Sequence, residues 1–137
     1  MSDLQSSGWL TGDGVLAPEH DAAHVQWRGD WRMPTKQEMD DLVDKCAWSL
    51  AMTNGIAGFI VRGMGDYASN SIFLPAAGCG YGTSLYNHGL GGLYWSSVPD
   101  SFGYGSGGLG FDWGDRNTSD CVRVGGFSVR PVQSTAE

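Results

Sequence analysis

Apolar residues recur with a helical period in one segment of the chain. Met39, Leu42, Val43, Cys46, Ala47 and Leu50 fall at i, i+3, i+4, i+7, i+8 and i+11, with Asp40, Asp41, Asp44 and Lys45 outside the stripe, which predicts an amphipathic helix with one buried face. Thr35-Lys36-Gln37-Glu38 ahead of it is a capping box, in which the hydroxyl and the carboxylate each satisfy an end N–H. A shorter helix is predicted upstream. Pro18 suits a first-turn position, Glu19 and Asp21 place acid near the N-terminus, Ala22, Ala23, Val25 and Trp27 follow, and Gly29 stops it.

From residue 56 the pattern becomes that of strands. Ile56 to Arg62 and Ser71 to Pro75 predict a hairpin across the turn-forming stretch Gly63 to Asn70. Leu93 to Ser97, Leu109 to Trp113, Cys121 to Val124 and Phe127 to Val132 are further brief candidates, each bounded by Gly, Pro, Asn or Asp. Long loops separate them, and their aromatic content argues for order. The expected class is α+β: two helices flanking a small, twisted, mostly antiparallel sheet with long ordered loops.

Composition changes this picture at two points. A chain of 137 residues with 41% hydrophobic positions is one ordinary domain, but 22 glycines are far above normal usage, and fourteen of them lie between Gly78 and Gly126. The C-terminal half is therefore built differently from the first. Fifteen acidic residues against eight basic ones give a net charge of −7, which repels phosphate backbones and anionic lipid, so nucleic acid is not the expected partner. No apolar run reaches the roughly 18 residues of a bilayer span, and Met1-Ser2-Asp3-Leu4-Gln5 lacks the layout of a signal peptide. Cys46, Cys79 and Cys121 are too widely spaced for a disulfide scaffold or a zinc knuckle, and they read as small buried hydrophobes, with one disulfide left open.

Candidate chemistry is sparse. His20 and His24 stand at i and i+4, the spacing of zinc proteases, but the residue after His20 is Asp21 rather than Glu, and the expected reading is a solvated helix face. Gly103-Tyr104-Gly105-Ser106-Gly107-Gly108 matches G-x-G-x-x-G without the strand before it and the helix after it that a dinucleotide site requires. No nucleophile elbow accompanies Ser96 or Ser97. Asp112, Asp115, Asn117 and Asp120 form an oxygen-rich stretch lacking the EF-hand ligand order, and they read as a solvated acidic turn. Neither a metal nor a cofactor is expected, and the chain reads as a non-enzyme. What stands out is Asp100 to Gly125, where Ser, Asp, Asn, Thr and Gly are mixed with Phe102, Tyr104, Phe111 and Trp113. Antibody paratopes use the same vocabulary, rigid aromatics for area and small polar residues for adaptable hydrogen bonds, which points to a binding surface.

Three segments together carry a family resemblance: Trp31-Arg32-Met33-Pro34-Thr35 with Glu38, then Phe73-Leu74-Pro75-Ala76-Ala77-Gly78, then Tyr94-Trp95-Ser96-Ser97 with Gly126-Phe127-Ser128-Val129-Arg130-Pro131-Val132. They resemble the Fibrobacter-type major paralogous domain, which has a C-type-lectin-like fold, and within it the variable proteins of diversity-generating retroelements. The resemblance implies an N-terminal extension over residues 1–14, one domain over residues 15–133, and a variable region at about 94–132. In that family the adenine-directed codons cannot encode Lys, Glu, Gln, Met or Trp. Residues 98 to 126 contain none of the first four, while Trp113 departs from the rule. Pro99, Leu109, Phe111 and Arg123 would be scaffold. The implied ligand-binding set is Asp100, Ser101, Phe102, Tyr104, Gly107, Gly108, Gly110, Asp112, Trp113, Asp115, Asn117, Thr118, Ser119, Asp120, Cys121, Val124 and Gly125. Its implied partner is a protein or other macromolecule met at a cell surface or on a phage particle. The sugar-binding Glu-Pro-Asn and Trp-Asn-Asp motifs of true C-type lectins are missing. The alternative is a structural or adhesive module of a bacterial surface assembly with no diversified site.

Overall fold

The computed structural model describes residues 7–99, 105–122 and 125–134. Among them are two α-helices and a set of mostly antiparallel sheets, the α+β class expected. A 3₁₀ turn, Pro18–His20, leads into α1, Ala22–Trp27. Asp21 joins the two and is buried. Its Oδ1 accepts from the Ala23 and His24 amides at 2.9 and 3.1 Å, and its Oδ2 accepts from the Met33 amide at 2.9 Å. One carboxylate therefore caps α1 and fixes the strand that follows, β1, Trp31–Arg32.

α2, Lys36–Lys45, begins at the expected capping box: Thr35 Oγ1 accepts from the Glu38 amide at 3.2 Å, and Glu38 Oε1 from the Thr35 amide at 2.9 Å. Glu38 also receives a bidentate pair from Arg32, at 2.6 and 3.0 Å. This pairing with Arg32 holds the Glu38 carboxyl below its ordinary range and raises the Arg32 guanidinium. Met39 is buried in the core, with Leu42, Val43 and Cys46 packed at its edge.

The predicted helical stripe ends there. Cys46 is already extended, and Ala47–Thr53 is a strand, β2, so Leu50 does not lie on the helix face and is 61% exposed. The cause is downstream: Asn54 and Gly55, at φ 51° and 80°, form a two-residue turn that pairs β2 along its whole length with β3, Ile56–Arg62. β3 pairs in turn with β4, Ser71–Pro75, the hairpin expected.

β5, Cys79–Tyr81, and β6, Ser84–Tyr86, make a small hairpin. The second large sheet follows: β7, Gly91–Pro99, β8, Gly105–Asp112, and β9, Arg116–Val122, with β8 in the centre. The predicted strand Phe127 to Val132 is not continuous. β10, Gly125–Gly126, pairs with β5, Ser128 bridges Tyr94, and β11, Val132–Gln133, pairs with β1. The sheets β2-β3-β4 and β7-β8-β9 share one core of Phe59, Val61 and Leu74 from the first and Tyr94, Leu109 and Phe111 from the second, closed by Met39. Upstream, Leu10 is buried and bridged to Leu16, and the Leu16 amide donates to the Ser97 carbonyl.

The segments singled out in the sequence meet here. The Ser97 amide donates to the Pro34 carbonyl at 2.8 Å, the Tyr94 hydroxyl to the Pro75 carbonyl at 2.9 Å and Arg130 Nη1 to the Phe73 carbonyl at 3.2 Å. Burial of the Tyr94 phenol raises its pKa to about 12, so the hydroxyl remains a donor.

Candidate functional site

Strand alternation sorts the expected binding residues onto two faces. On β9, Thr118 and Asp120 turn toward α2: Thr118 Oγ1 donates to Asp40 Oδ1, and Asp120 lies 3.6 Å from Lys36 Nζ. These two positions tie the edge strand to the helix. Asn117, Ser119 and Cys121 take the opposite, outer face, where Gly110, Gly108 and Ser106 of β8 stand opposite them. Leu93 and Trp95 of β7 continue the same rows.

Gly107, Gly108 and Gly125 are buried and take no part in an exposed surface. A Cβ at Gly108 would come within 3.1 Å of the Tyr94 carbonyl and 3.5 Å of Cys121 Sγ, one at Gly107 within 3.0 Å of Ser96 Oγ, and one at Gly125 within 2.6 Å of the Phe127 ring. Small size is the requirement at these positions. The role of Trp95 is also set by its face. Tyr94, not Trp95, enters the core, while Trp95 stacks on Phe127 at 4.1 Å on the outer side. Asp100, Ser101, Phe102, Tyr104 and Val124 lie outside the described residues.

The remaining expected positions converge. Gly110, Asp112, Trp113, Asp115 and Asn117 line a single open cleft of about 700 Å³, floored by the row Leu93, Gly110 and Asn117 and walled on the far side by Asn87 and Leu90. The turn that forms the near wall is built by its own carboxylates. Asp112 Oδ1 accepts from the Gly114 and Asp115 amides at 2.8 and 2.9 Å, and Asp115 Oδ1 from the Arg116 amide at 2.8 Å. Trp113 is held from below by Phe59, 5.6 Å between ring centroids, and keeps 44% of its surface exposed. Arg116 stacks over Trp48 at 5.4 Å and so faces away from the cleft.

Asn87, Leu90 and Cys79 belong to this cleft and were not anticipated. The available signal was a lone Leu in an otherwise polar, glycine-rich loop, which has no core to enter; Leu90 is 56% exposed. Burial pushes the Cys79 thiol above its usual range, with the neighbouring Cys121 adding to the shift, so the one sulfur lining the cleft is a neutral thiol at physiological pH. All three cysteines are free.

The other candidate motifs are engaged elsewhere. His20 lies in the 3₁₀ turn with its ring stacked on Trp9 at 3.8 Å, while His24 in α1 holds the Trp31 carbonyl at 3.2 Å through Nδ1, so the two do not share a helical face. Gly105-Ser106-Gly107-Gly108 is strand, with no helix after it. Among the described residues no group of His, Cys, Asp and Glu is placed to hold a metal ion, and no helix is long and apolar enough to cross a membrane. No protein-family model, curated protein or solved structure matches the chain.

Proposed function

We propose that this chain is a non-catalytic display domain with a C-type-lectin-like fold, which binds a macromolecular partner through the cleft between the 112–115 turn and the 87–90 loop, as the variable proteins of diversity-generating retroelements do. The observation that carries the reading is the convergence of Gly110, Asp112, Trp113, Asp115 and Asn117, all from the stretch with paratope-like composition, on one cleft that also exposes Leu90. The meeting of the three resemblance-bearing segments through Ser97–Pro34, Tyr94–Pro75 and Arg130–Phe73 supports it. Energetically, Trp113 and Leu90 offer the apolar area that anchors a partner, and Asn117, Asn87 and the carboxylates form the polar rim. Asp112 and Asp115 favour a basic patch on the partner and faster association at low salt.

Two observations test this. Probing an array of purified bacterial surface proteins with the native chain and with Trp113→Ala should give a bound partner whose affinity falls by about tenfold or more in the variant, the loss typical of an anchor residue, and should be unchanged by EDTA. Equal binding by both chains removes the cleft from recognition. At the genetic locus, a neighbouring reverse transcriptase and a near-copy of the codons for residues 94–132 differing only at adenines should be present. A locus without them leaves a non-diversified adhesive module.

A further inference from the structure

β2 is an edge strand. β3 pairs with it on one side, and along its other side no described residue makes a backbone hydrogen bond to it. The turn determines which backbone groups face outward. In a two-residue hairpin closed by Asn54 and Gly55 the flanking Thr53 and Ile56 form a hydrogen-bonded pair, so Thr53, Ala51, Ser49 and Ala47 bond inward to β3. The N–H and C=O groups of Met52, Leu50 and Trp48 therefore point away from the sheet.

The side chains of the same three residues share a face, the one that carries Phe59 and Val61 into the core. Leu50 and Met52 overshoot that core and are 61% and 68% exposed. Natural edges carry charges, proline or a bulge that prevent further pairing. Ala47-Trp48-Ser49-Leu50-Ala51-Met52-Thr53 has none of these, in a chain whose net charge is −7.

We infer that β2 pairs with β2 of a second copy of this chain, antiparallel, with Leu50 opposite Leu50. This strand is complementary to itself in that register. Trp48 then stands opposite Met52 at both ends, the three outward residues of each copy exchange about six hydrogen bonds in closely spaced pairs, and Leu50 and Met52 are covered on one face. A slip of one residue sets the outward groups of one copy against the inward groups of the other and splits the apolar side chains between faces. Charge also favours a copy over a charged strand from elsewhere: no residue of β2 is charged, so the two strands meet without repulsion between them, and the repulsion between two copies of net charge −7 weakens as salt rises. Trp48 is ready for the role, its indole fixed by Nε1 donating to the Leu42 carbonyl at 2.8 Å. The pairing produces a six-stranded sheet with both clefts on the same side. A seam seven residues long buries less than a standard interface, so association is reversible in the micromolar range.

Sedimentation velocity over a range of micromolar concentrations tests the register directly. The native chain should move from 14.6 kDa toward twice that mass as concentration rises, and more readily at higher salt. Leu50→Lys and Leu50→Glu should each weaken this by about tenfold or more, since the two-fold axis sets like charges opposite each other. An equimolar mixture of the two variants should restore it, because Lys then meets Glu. Position 50 is exposed, and circular dichroism of each variant confirms that it folds. A native chain that stays at 14.6 kDa throughout overturns the proposal, as does a dimer that both variants leave intact or that the mixture fails to restore.

Discussion

The two sheets that share the core, β2-β3-β4 and β7-β8-β9, have the same number of strands and the same antiparallel pairing and opposite solutions to the problem of an outer strand. In the first, β2-β3-β4, the edge is apolar and uncharged, its turn is a tight Asn-Gly, and Leu50 and Met52 are left in solvent. In the second, β7-β8-β9, the edge strand Arg116–Val122 is polar, and its Thr118 and Asp120 are occupied by Asp40 and Lys36 of α2. The outer edge strand of the second sheet is held to the helix by two polar side chains, whereas β2 is tied to the same helix near its start, through Trp48 Nε1 and the Leu42 carbonyl, and its Leu50 and Met52 beyond that point stay exposed. The interiors differ as well. The first sheet needs a glycine for close approach at one strand position, Gly58 beside the Leu74 carbonyl, whereas the second needs several, at Gly91, Gly92, Gly108 and Gly110. One protein thus leaves one edge strand without a charged residue and gives the other polar side chains anchored to a helix.

The sharpest way to break this comparison is at the joint the sheets share. Phe111 of β8 packs against Phe59 of β3 at 5.4 Å and against Tyr94 at 6.0 Å, and Phe111→Ala should cost about 3 to 5 kcal/mol, read as a large fall in melting temperature. A small fall would mean that the sheets are stabilised separately.

A smaller effect is expected at the start of α2. Glu38→Gln weakens both the reciprocal cap and the Arg32 pair, whose side chains are 32% and 42% exposed, and should cost about 1 kcal/mol near neutral pH. The Glu38 carboxyl is held below its unfolded value in the native state, so its contribution is present above the ordinary carboxylate range and is lost as pH falls through the native pKa. Denaturant titrations should accordingly show the native and variant curves converging in acid. Curves that stay parallel would show that the charge of Glu38 is not what couples it to Arg32.

The smallest effect should be found on the outer face. Asn117→Ala and Ser119→Ala together should shift stability by less than about 0.5 kcal/mol each, because both are exposed. A larger loss would mean that the outer face of β9 is structural, as its α2-facing side is.

Local chemistry was legible in the sequence wherever it acts over three or four residues. The Thr35–Glu38 box, the end of α1 and the 56–75 hairpin all follow from such short-range rules. The boundary at Cys46 was not, because Ala47 and Leu50 fit a helical period as well as a strand, and only the Asn54-Gly55 turn, eight residues on, breaks the tie. Within the candidate site, alternation along β9 divides neighbours that composition treats alike. Thr118 and Asp120 serve α2, Asn117 and Ser119 face out, and nothing in their residue types distinguishes them. Leu90 and Asn87 reach the cleft by tertiary contact across 20 or more residues, which no local pattern encodes.

The glycines of the second sheet also govern inheritance. A Cβ at Gly91 would stand 2.5 Å from the Phe111 carbonyl, at Gly92 2.7 Å from the Phe111 ring and at Gly110 2.9 Å from Leu93 Cδ2, whereas at Gly114 its nearest neighbour is 3.7 Å away. Mutation can therefore be absorbed at Gly114 of the turn and at the exposed alternate positions of β9 while every codon for the packed glycines is held fixed. Descendants of this sequence would drift along a comb: teeth at 114, 117 and 119 free to change, and a glycine spine beside them that selection returns to the same letter each time.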